Sequence, residues 1–363
     1  MNATSIAPVK NPEPEMAGPD AKGPSAVAKV WRRLLSDRVL LLGAMIVLLI
    51  LYATVMDAAG LLIAPFTVGY LSTSLISMVP LALLALAETI VIISGKSGID
   101  LSVGGVVSLS GMLFGWMVVD LGIPLPVAVV ITLVLGVLMG ALSGFLVGYV
   151  GFPPLIATLA TGYAYGSIAL VWHGGAPYSS PELTKMNDVT SGIGTGALAI
   201  PAHVFLIMVP AFLIAWFAMN RTRWGRELYA VGTNDSAARY SAQNTRFSRA
   251  SAYAVAGLLA AVVALVNVAQ FASARPDAGT AGNGMALPAI TIAALGGVAI
   301  MGGVGRVAGT VLASLFVTWL NAIILISVQG TMGSRLQLLI LGLVLIGSVA
   351  LNVYATRRYG TAT

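Results

Sequence analysis

The chain has 363 residues, 58% of them hydrophobic and only 9% charged, with a mean hydropathy of +0.94. Soluble domains carry about 25% charged residues, so this composition excludes a soluble globular protein and implies one embedded in a membrane. With no cysteine and only two histidines, disulfides, thiolate metal sites and iron–sulfur clusters are excluded, and the formal net charge of +6 reads as membrane topology rather than nucleic-acid binding.

Residues 1–37 are rich in Pro, Ala, Gly and charge. They contain no apolar core of the kind a signal peptide needs, and read as a disordered cytoplasmic tail. A membrane crossing takes about 20 apolar residues. On that measure the successive runs are 39–56, 68–93, 102–119, 125–150, 153–172, 203–219, 250–269, 286–301, 308–327 and 336–354. The second contains Pro80 and Glu88, and the fourth carries the pair Gly136 and Gly140 in a G-x-x-x-G spacing suited to close helix packing. The expected fold is therefore an all-α polytopic membrane protein of about ten transmembrane helices. Its membrane domain would cover 38–356, with a polar loop over 174–201, a charged loop over 220–249 and a short tail over 357–363.

An even number of crossings puts both termini on one side, and the positive-inside rule makes that side the cytoplasm. All but three of the 19 basic residues then fall inside, leaving Lys185, Arg275 and Arg335 outside. One crossing more or fewer would scatter them. No internal repeat stands out.

Ser94-Gly-Lys-Ser-Gly-Ile-Asp-Leu-Ser-Val-Gly-Gly105 lies between two apolar runs. Charge and dense glycine there oblige the helix to break, and irregular backbone at membrane depth is tolerated only against protein or a water-filled cavity. Gly98, Asp100, Ser102 and Gly104 mark the break. Asp100 suits a helix cap and also a substrate path; Lys96 could pair with it or reach toward the headgroups. Gly95-Lys96-Ser97 resembles the end of a phosphate-binding loop, but Ile90 occupies the position of the first glycine and no strand precedes it, so the chain is not expected to hydrolyse ATP.

Glu88 is an intramembrane carboxylate. It suits either a functional group or a hydrogen-bonded packing residue, and Asn267 and Gln270 are further polar candidates along a pathway. In Trp224–Ala242, Asn234 or Asp235 can cap a short helix running to about Ser241, in which the small residues Ala237 and Ala238 leave room for close approach. Ala294–Thr310 is a string of paired glycines suited to a turn and close packing. A surface or interfacial position suits either His173 or His203.

The words G-I-D-L-S-V-G-G, the segment W-G-R-E-L-Y-A-V-G-T-N-D-S-A-A-R-Y-S-A and the string ending in G-R-V-A-G-T occur in that order. Together they resemble the membrane-spanning permease subunits of bacterial ABC sugar importers of the ribose/xylose/galactose type. The resemblance covers about Val68 to Val353. It implies import of a monosaccharide or similar small polar solute across the inner membrane, without a cofactor. The implied partners are a separate ATPase subunit, a periplasmic solute-binding protein and a second permease copy. It also implies that Gly232, Asn234, Asp235, Ala237, Ala238 and Arg239 form the loop that docks into the ATPase. Ser236 and Ala242 depart from the family pattern, which commonly has glutamate and glycine there, and 282–287 lacks the usual acidic residue. An ion-coupled carrier working alone, with Glu88 and Asp100 as coupling groups, is the alternative. A membrane-embedded hydrolase is disfavoured because the chain has no G-x-S-x-G elbow.

Overall fold

The computed structural model describes residues 37–359 apart from 195, 197, 198, 282 and 283, with side chains up to residue 350. Nearly all of the expected N-terminal tail, and the end of the C-terminal one, lie outside the described residues. The long elements are α1 Arg38–Ala58, α2 Val68–Ile93, α3 Val103–Val119, α4 Leu125–Phe145, α5 Pro154–Trp172 and α6 Val209–Arg221. Two short helices follow, α7 Arg223–Thr233 and α8 Asp235–Tyr240, and then α9 Thr245–Phe271, α10 Ala286–Leu295, α11 Val307–Ser327 and α12 Thr331–Tyr359. Helix thus dominates; a ladder pairing Gly192–Ile193 with Ile200–Pro201 forms a two-stranded sheet.

Among the described residues, eight helical segments are long and apolar enough to cross a membrane: α1, α2, α5, α9, α11, α12, α4 with the π-turn that extends it, and α6 with the one that precedes it. α3 and α10 are apolar but shorter, at 17 and 10 residues. At 1.5 Å per residue α10 reaches about 15 Å, roughly half the thickness of a bilayer's hydrocarbon core. The span expected over 286–301 is thus corrected. Its helix stops at Leu295, Gly297 turns at φ +92°, and 296–306 forms a glycine-rich loop.

Local chemistry sets the helix boundaries. Thr67, Thr222, Asn234 and Asn244 each accept a backbone N–H of the first turn that follows, and Asp37 accepts from Val39. α4 and α5 carry proline in their first turn, where a missing N–H costs nothing.

α2 and α9 form the centre. From Met78 to Ile93 nearly every side chain of α2 is buried, as expected of a helix that is apolar on all faces and surrounded by others. α1, α4, α6 and α12 lie outside and expose apolar residues such as Val47, Val130, Leu213 and Leu343, as a lipid-facing layer must. The G-x-x-x-G pair packs α4 directly on α9: a Cβ on Gly140 would stand 2.9 Å from Gly257 Cα.

Candidate functional site

The three stretches singled out in the sequence meet at one backbone junction. α2 ends at Ile93, Ser94 caps it, and Gly95 turns the chain at φ +88°. The carbonyl of Ile93 accepts the N–H of Gly303 at 3.0 Å, tying the first stretch to the glycine string. Gly232, in the last turn of α7, sits between them. A Cβ on Gly95 would come within 2.7 Å of Gly232 Cα, and one on Gly232 would overlap Ile93 O and lie 2.5 Å from Gly303 N. Tyr229 of α7 also donates its hydroxyl to Gly305 O at 2.8 Å. Only glycine permits so close an approach of three backbones. Lys96 and Ser97 adopt left-handed φ values of 57° and 51°, a local strain that is common at functional sites.

Below the junction lies a buried polar chain. Glu88 is fully buried, and its Oε2 accepts the backbone N–H of Asp100 at 3.2 Å while Oε1 has no partner among the described residues. Asp100, 1% exposed, accepts from both the amide and the hydroxyl of Ser102. The expected capping role is therefore modified. The carboxylate holds a tight turn two residues on, and the helix starts at Val103 without a side-chain cap. Ser102 continues to Ser143 Oγ at 3.4 Å, and Ser143 to Thr161 Oγ1 at 2.9 Å, linking α3, α4 and α5. Gly98 closes the turn next to Val91 O and the buried Tyr253 hydroxyl. Lys96 forms no ion pair with Asp100 among the described residues; its charge acts on Asp235 instead.

α8 sits above the junction. Asn234 Oδ1 caps it by accepting Ala237 N–H at 3.0 Å. Asp235, its first residue, binds Arg249 of α9 at 2.9 Å and Arg239 at 2.7 Å. The Arg249 side chain is only 2% exposed, so this contact pins α8 to a central membrane helix. Partial burial works against ionisation of Asp235. The hydrogen bond and charge of Arg249 outweigh it, aided by Arg239 and Lys96, and hold the carboxyl below its ordinary range. Ala238 faces inward at 5% exposure, so its small size serves packing within this chain. The open face of α8 is Ser236, Ala237, Arg239 and Tyr240, the last 94% exposed.

On the other side of α3, residues 272–281 and 284–285 run without helix into the protein. Ala274 and Tyr178 pair beside Gly115, while Gly279 N–H donates to Ser108 Oγ at 3.0 Å and packs on Gly104. Gly104 and Gly115 are about 16 Å apart along α3, so this backbone runs at membrane depth against protein, as such backbone must. The segment without the family's acidic residue falls partly at 282–283, outside the described residues. Asn267 and Gln270 do not join the site. They lie at the far end of α9, about 27 and 32 Å along its axis from Arg249, where Gln270 donates to Ile76 O at 2.8 Å. His203 is corrected from surface to core: it is fully buried, with Nε2 3.4 Å from Ile76 O, whereas His173 is exposed and stacks on Tyr178.

Sequence reasoning missed Arg249, Tyr253, Ser143, Thr161 and Tyr240 as members of the site. A signal existed for the first alone, a charge at the very edge of an apolar run.

A family model described as branched-chain amino acid transport system / permease component matches residues 70–349. The autoinducer 2 import system permease protein LsrD of Enterobacter sp. (strain 638) is 34% identical over 285 residues, covering 77% of this chain and 85% of that protein. The same-named protein of Klebsiella pneumoniae is 36% identical over 245 residues, 66% of this chain and 71% of its own. The ribose import permease protein RbsC of Escherichia coli K12 is 32% identical over 241 residues, 66% and 73% of the two chains. No solved structure matches. With a match across the helical body that holds the glycine junction and α8, the chain belongs to the branched-chain amino acid transport system permease family, as a multi-pass inner-membrane permease of the ABC sugar importer type.

Proposed function

We propose that the chain imports a monosaccharide or similar small polar solute by alternating access, driven by ATP hydrolysis on a separate subunit that docks on α8. The observation that carries this reading is the convergence of the three stretches under a capped, open-faced helix. A push on α8 has a short path to the ends of α2, α10 and α11 through Gly232, and to α9 through Asp235 and Arg249. Catalysis then belongs to the partner. A solute-binding protein would deliver the substrate to the opposite face, and a second permease copy would complete the pathway. Lys96, Arg239 and Arg306 gather on the junction side, which supports placing that side in the cytoplasm.

The docking face assigned here is Ala237 and Tyr240. Exposed aromatics make strong anchors in protein interfaces, and a carboxylate there would have to be desolvated on docking. Tyr240→Ala and Ala237→Asp should leave membrane insertion intact while abolishing pull-down of the ATPase subunit and solute uptake. If both variants retain the ATPase at wild-type levels and transport normally, the docking assignment is wrong. A second reading, an ion-coupled carrier acting alone, rests on the adjacent buried carboxylates of Glu88 and Asp100. Uptake into vesicles that contain this chain and no ATPase would favour it.

A further inference from the structure

The start of α1 stands apart from the transport site. Arg38 is the first residue of a span whose outer face is apolar, yet it is only 8% exposed, and its Nη2 is buried with no hydrogen-bond partner among the described residues. Its stem lies over Gly297: a Cβ on that glycine would meet Arg38 Cγ at 2.8 Å, so the missing side chain seats the arginine. Arg38 lines a cleft together with Asp37, Gly296, Gly297, Arg306 and Gly309. Asp37 does not neutralise the arginine. Its Oδ1 accepts Val39 N–H at 3.0 Å, and among the described residues neither Arg38 nor Arg306 forms an ion pair.

A buried, unpaired guanidinium is strongly unfavourable and calls for an anion. The same cleft holds a second feature of that kind. α11 is a 21-residue helix that begins here, with Arg306 as its N-cap and no side-chain cap; the Gly309 amide turns back to Arg306 O at 3.0 Å, and the helix dipole presents positive charge to the cleft. A guanidinium fork beside a helix N-terminus matches the oxygens of a phosphate. α1 exposes Val47, Leu48 and Leu51 to lipid and starts at this cleft, which places the cleft at headgroup depth.

We propose that the cleft between the starts of α1 and α11 binds the phosphate of an anionic lipid headgroup, with Arg38 as the buried fork and Arg306 at the rim. The site lies on the membrane face that the proposed topology puts in the cytoplasm, where anionic headgroups meet basic pockets between helices. It is independent of the ATPase-docking face.

The test uses the purified full-length chain, stripped of lipid, with three probes: phosphatidylglycerol, phosphatidylcholine and inorganic phosphate. Native mass spectrometry and the thermal midpoint report binding. The wild type should bind phosphatidylglycerol in preference to phosphatidylcholine. Arg38→Gln should weaken that binding about fivefold, the effect of one basic residue near a charged membrane surface, and Arg275→Gln should leave it unchanged. If Arg38→Gln fails to fold, the exposed Arg306→Gln should show the same loss. Inorganic phosphate that competes at equal affinity would keep the phosphate site and reassign its source to the free ion. Equal phosphatidylglycerol binding by wild type and both arginine variants overturns the proposal, as does equal binding of the two lipids. So does a wild type that ignores every probe while Glu13→Gln/Glu15→Gln/Asp20→Asn responds, since the occupant would then be a carboxylate of the chain's own N-terminal segment.

Discussion

Gly232→Ala tests the junction most directly. The added methyl would fall inside the van der Waals envelope of Ile93 O, 2.5 Å from Gly303 N and 2.9 Å from Gly303 Cα. These are backbone atoms anchored by α2 and by the glycine string, so no side-chain rotation relieves the clash. Forcing in one methyl group costs about 1–3 kcal/mol. Displacing Gly303 also breaks the 3.0 Å bond between its N–H and Ile93 O, a further loss of about 1 kcal/mol. Alanine gains up to ~1 kcal/mol of helix propensity over glycine, which leaves a net destabilisation of roughly 1–3 kcal/mol. Gly342→Ala is the matched control. It lies within α12 with nothing within 4 Å of its added methyl, so only the propensity gain applies. Thermal unfolding of the two variants in detergent should therefore shift the midpoint in opposite directions, down for Gly232→Ala and level or up for Gly342→Ala. ATPase capture should fall in the first alone, because α8 follows Gly232 directly. A Gly232→Ala midpoint at or above that of the wild type would refute the tight junction.

At Asp100, asparagine keeps an acceptor for the amide and hydroxyl of Ser102, so Asp100→Asn should be mild. Asp100→Leu leaves buried donors unsatisfied at a cost of about 1–3 kcal/mol. Complete loss of uptake in both, at normal expression, would point instead to an essential charge. Asp235→Asn strands the buried Arg249 and should destabilise by about 3–5 kcal/mol, an effect that Arg249→Met in the same chain should largely relieve; simple additivity of the two changes would contradict the pairing. Because the Asp235 carboxyl is held below its ordinary range, its contribution is complete above about pH 4 and is lost only as the pH falls through the depressed value. A midpoint flat from about pH 5 to 8 at this contact is the expected result, and a loss centred near neutrality would count against it. Ala242 stands at φ +58°, which costs a side chain about 1–2 kcal/mol, whereas glycine forfeits only about 0.5–1 kcal/mol of chain entropy. Ala242→Gly should therefore preserve or raise the midpoint, and a clear drop would be inconsistent with the left-handed turn.

Composition and apolar run length decided by themselves that this is a helical membrane protein, because those features report the solvent around each segment. The cap at Asn234 and the close helix packing at Gly140 were legible for a similar reason: each depends on a few neighbouring residues and a short spacing. The departure at Ala242 was visible as an alanine where glycine is common, and its φ of +58° supplies the cause. Other features needed the tertiary structure. Nothing local says that Gly95, Gly232 and Gly303 touch, since they are far apart in the chain and a glycine string by itself reads only as a turn. Ala238 and Tyr240 are two residues apart on one short helix, and the packing around that helix decides which is buried and which is open. The eighth apolar run looked like a span because hydropathy counts residues without their direction. The chain instead descends as irregular backbone against α3, turns helical only from Ala286 to Leu295, and ends in the glycine loop that meets α7.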